Sequence, residues 1–504
     1  MTKKQAIEKL EEMDRHLVML EHIESVLSWD QEIAASKKGL DERARQMGWL
    51  SSEFHELACG NEMGDILSQL GADADHLEGD GQDDFEKALI RIRFRFYEKE
   101  RNLPVSLVRK LSEATSVAHE SWVEARKQDD WNLFKPELQT LVDLTREKAA
   151  CFAKEGSSQY DVLLDDYEQG MKTATVKALF DSVKPSLVSL VKKQADLNVD
   201  NSFLFKEYPI DKQEGFAFQV LSDMGFDFTR GSRAVSVHPF TSTLGSDDIR
   251  ITTRYTDPSV MDSFYSSVHE GGHALYEMGA SKGRQKGTSI ANGASMGMHE
   301  SQSRLWENMI GRSEAFWVHY FPLFKKTFPS QLEGIGFEHF VKAINRVAPG
   351  YIRTNADEVS YSLHVILRFE LEQAMLDGSL SLDDVPQAWN RKSEELLGIV
   401  PKTCREGALQ DVHWSGADFG YFPTYALGNL YGAQIWEKLN SDLDSDVLLR
   451  KGNLKEIGAY LNGEIYKKGS LYRPVDLLHG VTGKRLDAIL FTKYLDNKFS
   501  RLFG

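Results

Sequence analysis

Two histidines four residues apart enclose a glutamate in the run His269-Glu270-Gly271-Gly272-His273. On a helix that spacing puts both imidazoles on one face, one turn apart, where they can reach a single ion at about 2.0–2.1 Å. Glu270 stands beside them to handle a water activated by the ion. The chemistry such a set can do is zinc-type hydrolysis. A catalytic zinc takes three protein ligands and keeps a fourth position open. Glu300, in His299-Glu300-Ser301-Gln302-Ser303-Arg304 and 27 residues after His273, is assigned as the third ligand. His299 competes from the neighbouring position and Glu277 from one turn beyond His273. A single straight helix rarely wraps three ligands around one ion, so Glu277 reads as a carboxylate behind the ligands or on the surface.

The element that must position these ligands is a helix of about 20 residues. Asp257-Pro258-Ser259 offers an N-cap followed by proline at the first helical position, and Gly279 offers a stop after Met278. At 100° per residue Val260, Phe264, Val268 and Leu275 share one face, opposite His269 and His273. Two adjacent glycines inside a helix cost roughly 1 kcal/mol each against alanine. Gly271 and Gly272 therefore imply close approach by another backbone or by substrate.

Around this helix the chain reads as mainly helical. Ile7 to Val26 and Phe85 to Leu103 carry apolar residues at three- and four-residue spacing, and the Gly- and Asp-rich stretch from Ala72 to Gln82 reads as a loop. The one clear strand signal precedes the metal helix. Ala234–Phe240 and Ile249–Arg254 alternate with period two, with Gly245-Ser246-Asp247-Asp248 between them as in a hairpin. A peptide substrate could add to an exposed edge of the strand Ile249–Arg254 and be held by backbone hydrogen bonds. The expected organisation is one catalytic domain over 1–504, with two lobes around a groove and an N-terminal helical part over roughly 1–200.

The 504 residues carry a net charge of −16, which disfavours nucleic acid as a partner. Hydrophobic content of 41% and charged content of 27% fit a soluble globular protein. Cys59, Cys151 and Cys404 are far apart and odd in number, so neither a disulfide framework nor a cysteine zinc site is expected. No apolar segment follows Met1 and no run of 18 apolar residues occurs, so neither a secretory signal nor a membrane span is expected. A reducing cytoplasm is the expected compartment.

Further blocks accompany the metal motif: Trp29-Asp30-Gln31-Glu32, His238-Pro239-Phe240, Asp248-Ile249-Arg250-Ile251-Thr252, Ile352-Arg353-Thr354-Asn355-Ala356-Asp357, and Gly407-Ala408-Leu409-Gln410-Asp411-Val412-His413-Trp414. With HEGGH they resemble, in order and over nearly the whole chain, the thermostable-carboxypeptidase family of metallopeptidases, M32, with its HPF, DxRxT, IRxxAD and GxxQDxHW patterns. The resemblance implies a helical fold with a long, deep groove, similar to neurolysin and angiotensin-converting enzyme. It also implies removal of C-terminal amino acids with broad specificity but poor action at proline, a zinc or cobalt ion, and a homodimer.

Roles can then be distributed. His269, His273 and Glu300 hold the metal, and Glu270 takes the water proton and returns it to the leaving amine. His413, Tyr421 and Tyr425 are candidates for the second donor to the tetrahedral oxyanion. An exopeptidase must read a free carboxylate, which arginine's planar fork does best. Arg353 is the candidate the resemblance supports, against a structural ion pair with Asp357; Arg368 and Arg250 are lesser alternatives. Arg250 and His238 are placed with Arg353 as substrate-binding residues, although His238 and Asp248 read more readily as orienting their neighbours. Two rivals stand beside this reading: an oligopeptidase cutting internal bonds with the same metal chemistry, and a non-catalytic helical scaffold with a structural metal.

Overall fold

The computed structural model describes every residue except 154, 155, 196, 256 and 257. The protein is mainly helical with one three-stranded sheet, and it divides into two compact units. The first comprises Met1–Arg101, Asp200–Ile344 and Ile435–Arg485; the second comprises Asn102–Val199, Asn345–Gln434 and Leu486–Gly504.

In the first unit both sequence-read helices form, as Lys3–Ile33 and Asp84–Asn102, with a loop over the Gly- and Asp-rich stretch between Gln69 and Asp84. Their apolar stripes meet in a core built from Ala6, Leu10, Met13 and Leu17 against Phe85, Ala88, Leu89, Ile66 and Ile290. Thr2 and Gln5 close a reciprocal capping box at the first helix.

The strands differ from the sequence reading. They are β1 (Gly231–Val235), β2 (Thr241–Gly245) and β3 (Asp248–Thr253), in the order β1-β3-β2. The first arm of the hairpin is β2 rather than Ala234–Phe240. The earlier stretch contributes only its start, as the end of β1, which pairs parallel with β3. β3 is central, with neighbours on both sides, so the suggestion that a peptide adds to residues 248–254 falls. Ile249 and Ile251 are buried as the alternation requires, but Thr252 is buried as well. Its hydroxyl accepts hydrogen bonds from Ser236 Oγ (2.7 Å) and Phe240 N (2.9 Å), which satisfies the polar group inside and overrides the period of two.

In the second unit, helices Val105–Gln128 and Trp131–Ala150 pack on each other, and helix Ser360–Asp377 packs with Val385–Leu397 and Thr173–Ala195. Ser360–Asp377 is buried along almost its full length, including Arg368 and Glu372. Two buried charges on one helix demand built partners.

Candidate active site

The metal helix runs Val260–Ala280 and begins two residues later than its sequence suggests. Ser259 is the cap, its Oγ accepting from Met261 N at 3.2 Å, and Pro258 precedes it; Asp257 lies outside the described residues. Gly279 does not stop the helix, which continues to Ala280. A Cβ at Gly279 would come within 2.3 Å of Tyr466 Cβ, so packing rather than termination requires glycine there. The predicted apolar face of Val260, Phe264, Val268 and Leu275 is buried. So is most of the rest of the helix, leaving His269 and His273 half-buried.

The glycine pair does what its cost implied. A Cβ on Gly272 would stand 2.7 Å from Ser303 Cα and 2.9 Å from Gln302 O, and one on Gly271 would stand 2.5 Å from Leu221 Cδ2. Gly272 thus lets helix Met296–Arg304 approach backbone to backbone, and that approach delivers Glu300. Glu300 Oε2 lies 3.7 Å from His269 Nε2 and 3.6 Å from His273 Nε2. All three ligand atoms lie within 4.8 Å of one another. Two imidazole nitrogens and a carboxylate oxygen at these separations fit the ligand bonds of a single divalent ion with a position left open. His299 and Glu277, the competing ligands, stand outside this trio.

His299 and Glu277 lie directly behind His273. His273 Nδ1 is 2.5 Å from His299 Nδ1, and His299 Nε2 is 2.6 Å from Glu277 Oε1; the Glu277 side chain is buried, and its Oε2 accepts from Thr243 Oγ1 at 3.2 Å. The carboxylate at the end of this chain accepts a hydrogen bond from His299 Nε2–H, leaving His299 Nδ1 to accept from His273 Nδ1–H, so Nε2 of His273 keeps its lone pair for an ion. His269 Nδ1 is fixed in the same way by Glu307 Oε2 at 2.8 Å. Glu307 was missed in the sequence, although Glu300, Arg304 and Glu307 follow helical spacing. It sits in a wide π-helical turn, Leu305–Ile310. Thr241 was missed too: its hydroxyl donates to Glu270 Oε2 at 2.6 Å, a contact made by β2 and invisible to any local pattern.

Burial opposes ionisation of Glu300, but Arg304 (Nε–Oε1 2.7 Å) and the two histidines outweigh it and hold the carboxyl below its usual range. Glu307 is held at about 2 against the same burial, by Arg304 and His269. Burial lowers His273 to about 3, the neutral form a ligand needs. Glu270, 7% exposed, moves the other way: burial raises its carboxyl, with His269 and Thr241 opposing. One carboxylate is thus poised to exchange a proton while its neighbours stay ionised.

A second cluster occupies the second unit. Arg353 does not pair with Asp357, which instead caps helix Ser360–Asp377 by accepting from Ser360 N and Ser360 Oγ. Its guanidinium lies against Asp411 Oδ1 (3.1 and 3.0 Å) and donates to Tyr361 OH (3.1 Å). Arg368 holds the other oxygen of Asp411 at 2.6 Å. Burial works against Asp411's charge, yet Arg368 and Arg353 keep the carboxyl below its usual range. Gln410 fixes the Arg353 backbone, accepting from its N at 2.9 Å. His413 stacks on Tyr421 with centroids 5.5 Å apart, and its Nε2 is 3.2 Å from Tyr425 OH. Burial drives His413 down to about 4, and its Nδ1 is buried with no hydrogen-bond partner among the described residues.

The structure does not bring Arg250 and His238 into either cluster. Arg250 is paired with Asp248 (2.8 and 2.7 Å) and lies over the Trp29 ring, and the His238 side chain is exposed.

A helical fold holding a His-His-Glu cradle with a buried glutamate beside it has the make-up of a metallopeptidase. The pattern of the carboxypeptidase Taq (M32) metallopeptidase family matches residues 9–499. The chain belongs to this family and is a metallocarboxypeptidase. It is 38% identical to "Thermostable carboxypeptidase 1" of Thermus thermophilus over 519 residues, covering 100% of both chains. It is 35% identical to "Carboxypeptidase 1" of Bacillus subtilis over 482 residues, 95% of each. The crystal structure of an M32 carboxypeptidase from Deinococcus radiodurans aligns with a TM-score of 0.94 at 34% identity, over 99% of this chain and 100% of that one.

Proposed function

We propose that this enzyme removes C-terminal residues from peptides of varied sequence, using one zinc ion, with cobalt able to substitute, held by His269, His273 and Glu300. The observation that carries the reading is the facing of two imidazole nitrogens and one carboxylate oxygen, with Glu270 beside them. An ion held there supplies Lewis acidity towards a carbonyl and makes water acidic near neutral pH. Glu270, kept in place by Thr241, takes the proton of the attacking water and passes it to the leaving amine. His413 and Tyr421, already stacked, offer N–H and O–H donors to the developing oxyanion.

Arg353 is the group for the free carboxylate. Two guanidinium groups share the single aspartate Asp411, so the cluster carries one uncompensated positive charge. One observation favours the rival endo-acting reading: Arg353 is only 5% exposed and already engaged by Asp411 and Tyr361. The test offers one unstructured peptide with a free C-terminus and once amidated, with products followed by mass spectrometry. A ladder losing one residue at a time from the free acid alone supports the proposal, and internal fragments from both peptides overturn it.

A homodimer, peptides rather than nucleic acid or membrane as partners, and a cytoplasmic location belong to the same proposal. The net charge of −16 and three unpaired cysteines support it. Among the described residues no helix is long and apolar enough to cross a membrane.

A further inference from the structure

The geometry points to Glu372 as a positioning residue that holds the loop carrying His413 and Tyr421 in its working shape, an inference that rests on the reading of those two side chains as catalytic donors. Glu372 is fully buried in helix Ser360–Asp377, and nothing in the chemistry described so far uses it. Its Oε1 accepts from Trp414 Nε1 at 3.0 Å. Its Oε2 accepts from Gly420 N at 3.1 Å and from Tyr160 OH at 2.7 Å. Trp414 directly follows His413, and Gly420 directly precedes Tyr421. One carboxylate therefore clamps both ends of the loop at the residues adjoining the two donors.

The loop is shaped to present these donors. Gly420 has φ +88°, and a Cβ there would stand 2.8 Å from Leu163 C, so only glycine can turn its N–H onto Glu372. Within the loop Asp418 N donates to His413 O at 3.1 Å, closing the turn that brings Tyr421 back over His413. The helix supplies its anchors at regular spacing: Tyr361 meets Arg353, Arg368 meets Asp411, and Glu372, one turn further on, meets Trp414 and Gly420. A buried carboxylate facing three donors is expensive unless all three are made. Gln in its place cannot accept on both heads, because its amide nitrogen opposes an N–H. The loop end that loses its acceptor is then released.

The test compares Glu372→Gln, Tyr160→Phe and His413→Ala on a free-acid peptide at pH 8.5, where the Glu372 carboxyl is ionised, with bound metal measured for each. Glu372→Gln is expected to lose at least tenfold in kcat, with KM within about twofold and metal stoichiometry unchanged. Tyr160→Phe removes a bond to the same carboxylate without touching the loop and is expected to keep kcat within twofold. An unchanged kcat in Glu372→Gln, or an equal loss in Tyr160→Phe, overturns the positioning role. Collapse of His413→Ala beside an unchanged Glu372→Gln defeats that role alone. An unchanged His413→Ala defeats the site reading and the positioning role with it. Should Glu372→Gln not fold, Trp414→Phe decides, with a fall of about threefold in kcat expected and unchanged kcat overturning the proposal.

Discussion

The two clusters are electrostatic opposites built by different means. In the first unit four carboxylates, Glu270, Glu277, Glu300 and Glu307, surround three imidazoles, His269, His273 and His299, with Arg304 and Arg312 beside Glu307 as the cations. That set has an excess of negative charge and is suited to a cation. In the second unit Arg353 and Arg368 share Asp411, an excess of positive charge suited to an anion. The metal cluster is assembled from residues 269 to 307, on two helices pressed together at Gly272. The arginine cluster gathers positions 353, 368 and 411 from a short turn, a long helix and a loop. Helical spacing pairs His269 with His273 in the first, and one helix-to-helix approach adds Glu300; the second draws every one of its groups from a different element.

The contrast can be broken at four points, in falling order of effect. Glu270→Gln should lose about 10³-fold in kcat while binding its metal normally, since a positioned base typically contributes 10²–10⁴. Steady-state rates beside metal analysis check this, and retained turnover would remove Glu270 as the base. Glu307→Gln should weaken metal affinity by roughly 10–100-fold, because Glu307 fixes the His269 tautomer. Competition with a chelator measures it; unchanged affinity would mean that the carboxylates around the cradle do not act together.

Arg353→Lys should raise KM for a free-acid peptide by about tenfold, as a point charge replaces a planar fork. It should leave any residual cleavage of the amidated peptide untouched. An equal loss on both substrates would make Arg353 structural.

The fourth point is stability against pH, read on a scale separate from rate and affinity. Burial pushes Glu372 up to about 7 from an ordinary 4.5, despite opposing hydrogen bonds from Tyr160, Gly420 and Trp414. The folded protein then binds this proton more tightly than the unfolded chain, so stability falls as pH rises between those values. The loss is on the order of 3 kcal/mol at most. Asp411 has the opposite sign: its carboxyl is held low, and its contribution is present above the unfolded value and lost as pH falls towards the folded one. Denaturant unfolding across pH 5–8 should show a shallower decline in Glu372→Gln; an identical slope would refute the Glu372 contribution.

Much of the first cluster was legible because its information is local. His269, Glu270 and His273 follow from helical spacing and Glu300 from the need of a third ligand on a following helix, and the glycine pair announced a close approach that Gly272 makes. The helix start was misread because Ser259 and an aspartate before it are both good caps, and local preference does not choose between them. The strand assignment shifted because period-two alternation marks a strand without naming its partner.

The sequence by itself determined a mainly helical metallopeptidase and singled out His269, His273 and Glu300, which the fold brings together. Periodicity, metal geometry and motif order are properties of neighbours along the chain. Only the tertiary structure decided that Arg353 belongs to Asp411 rather than Asp357, that Thr241 holds Glu270, and that His299 and Glu277 stand behind the ligands. It alone decided that one buried carboxylate, Glu372, gathers both ends of the His413–Tyr421 loop. Those pairings join residues tens of positions apart, and burial makes each of them obligatory, since a polar group removed from water must find its partner wherever the fold places it.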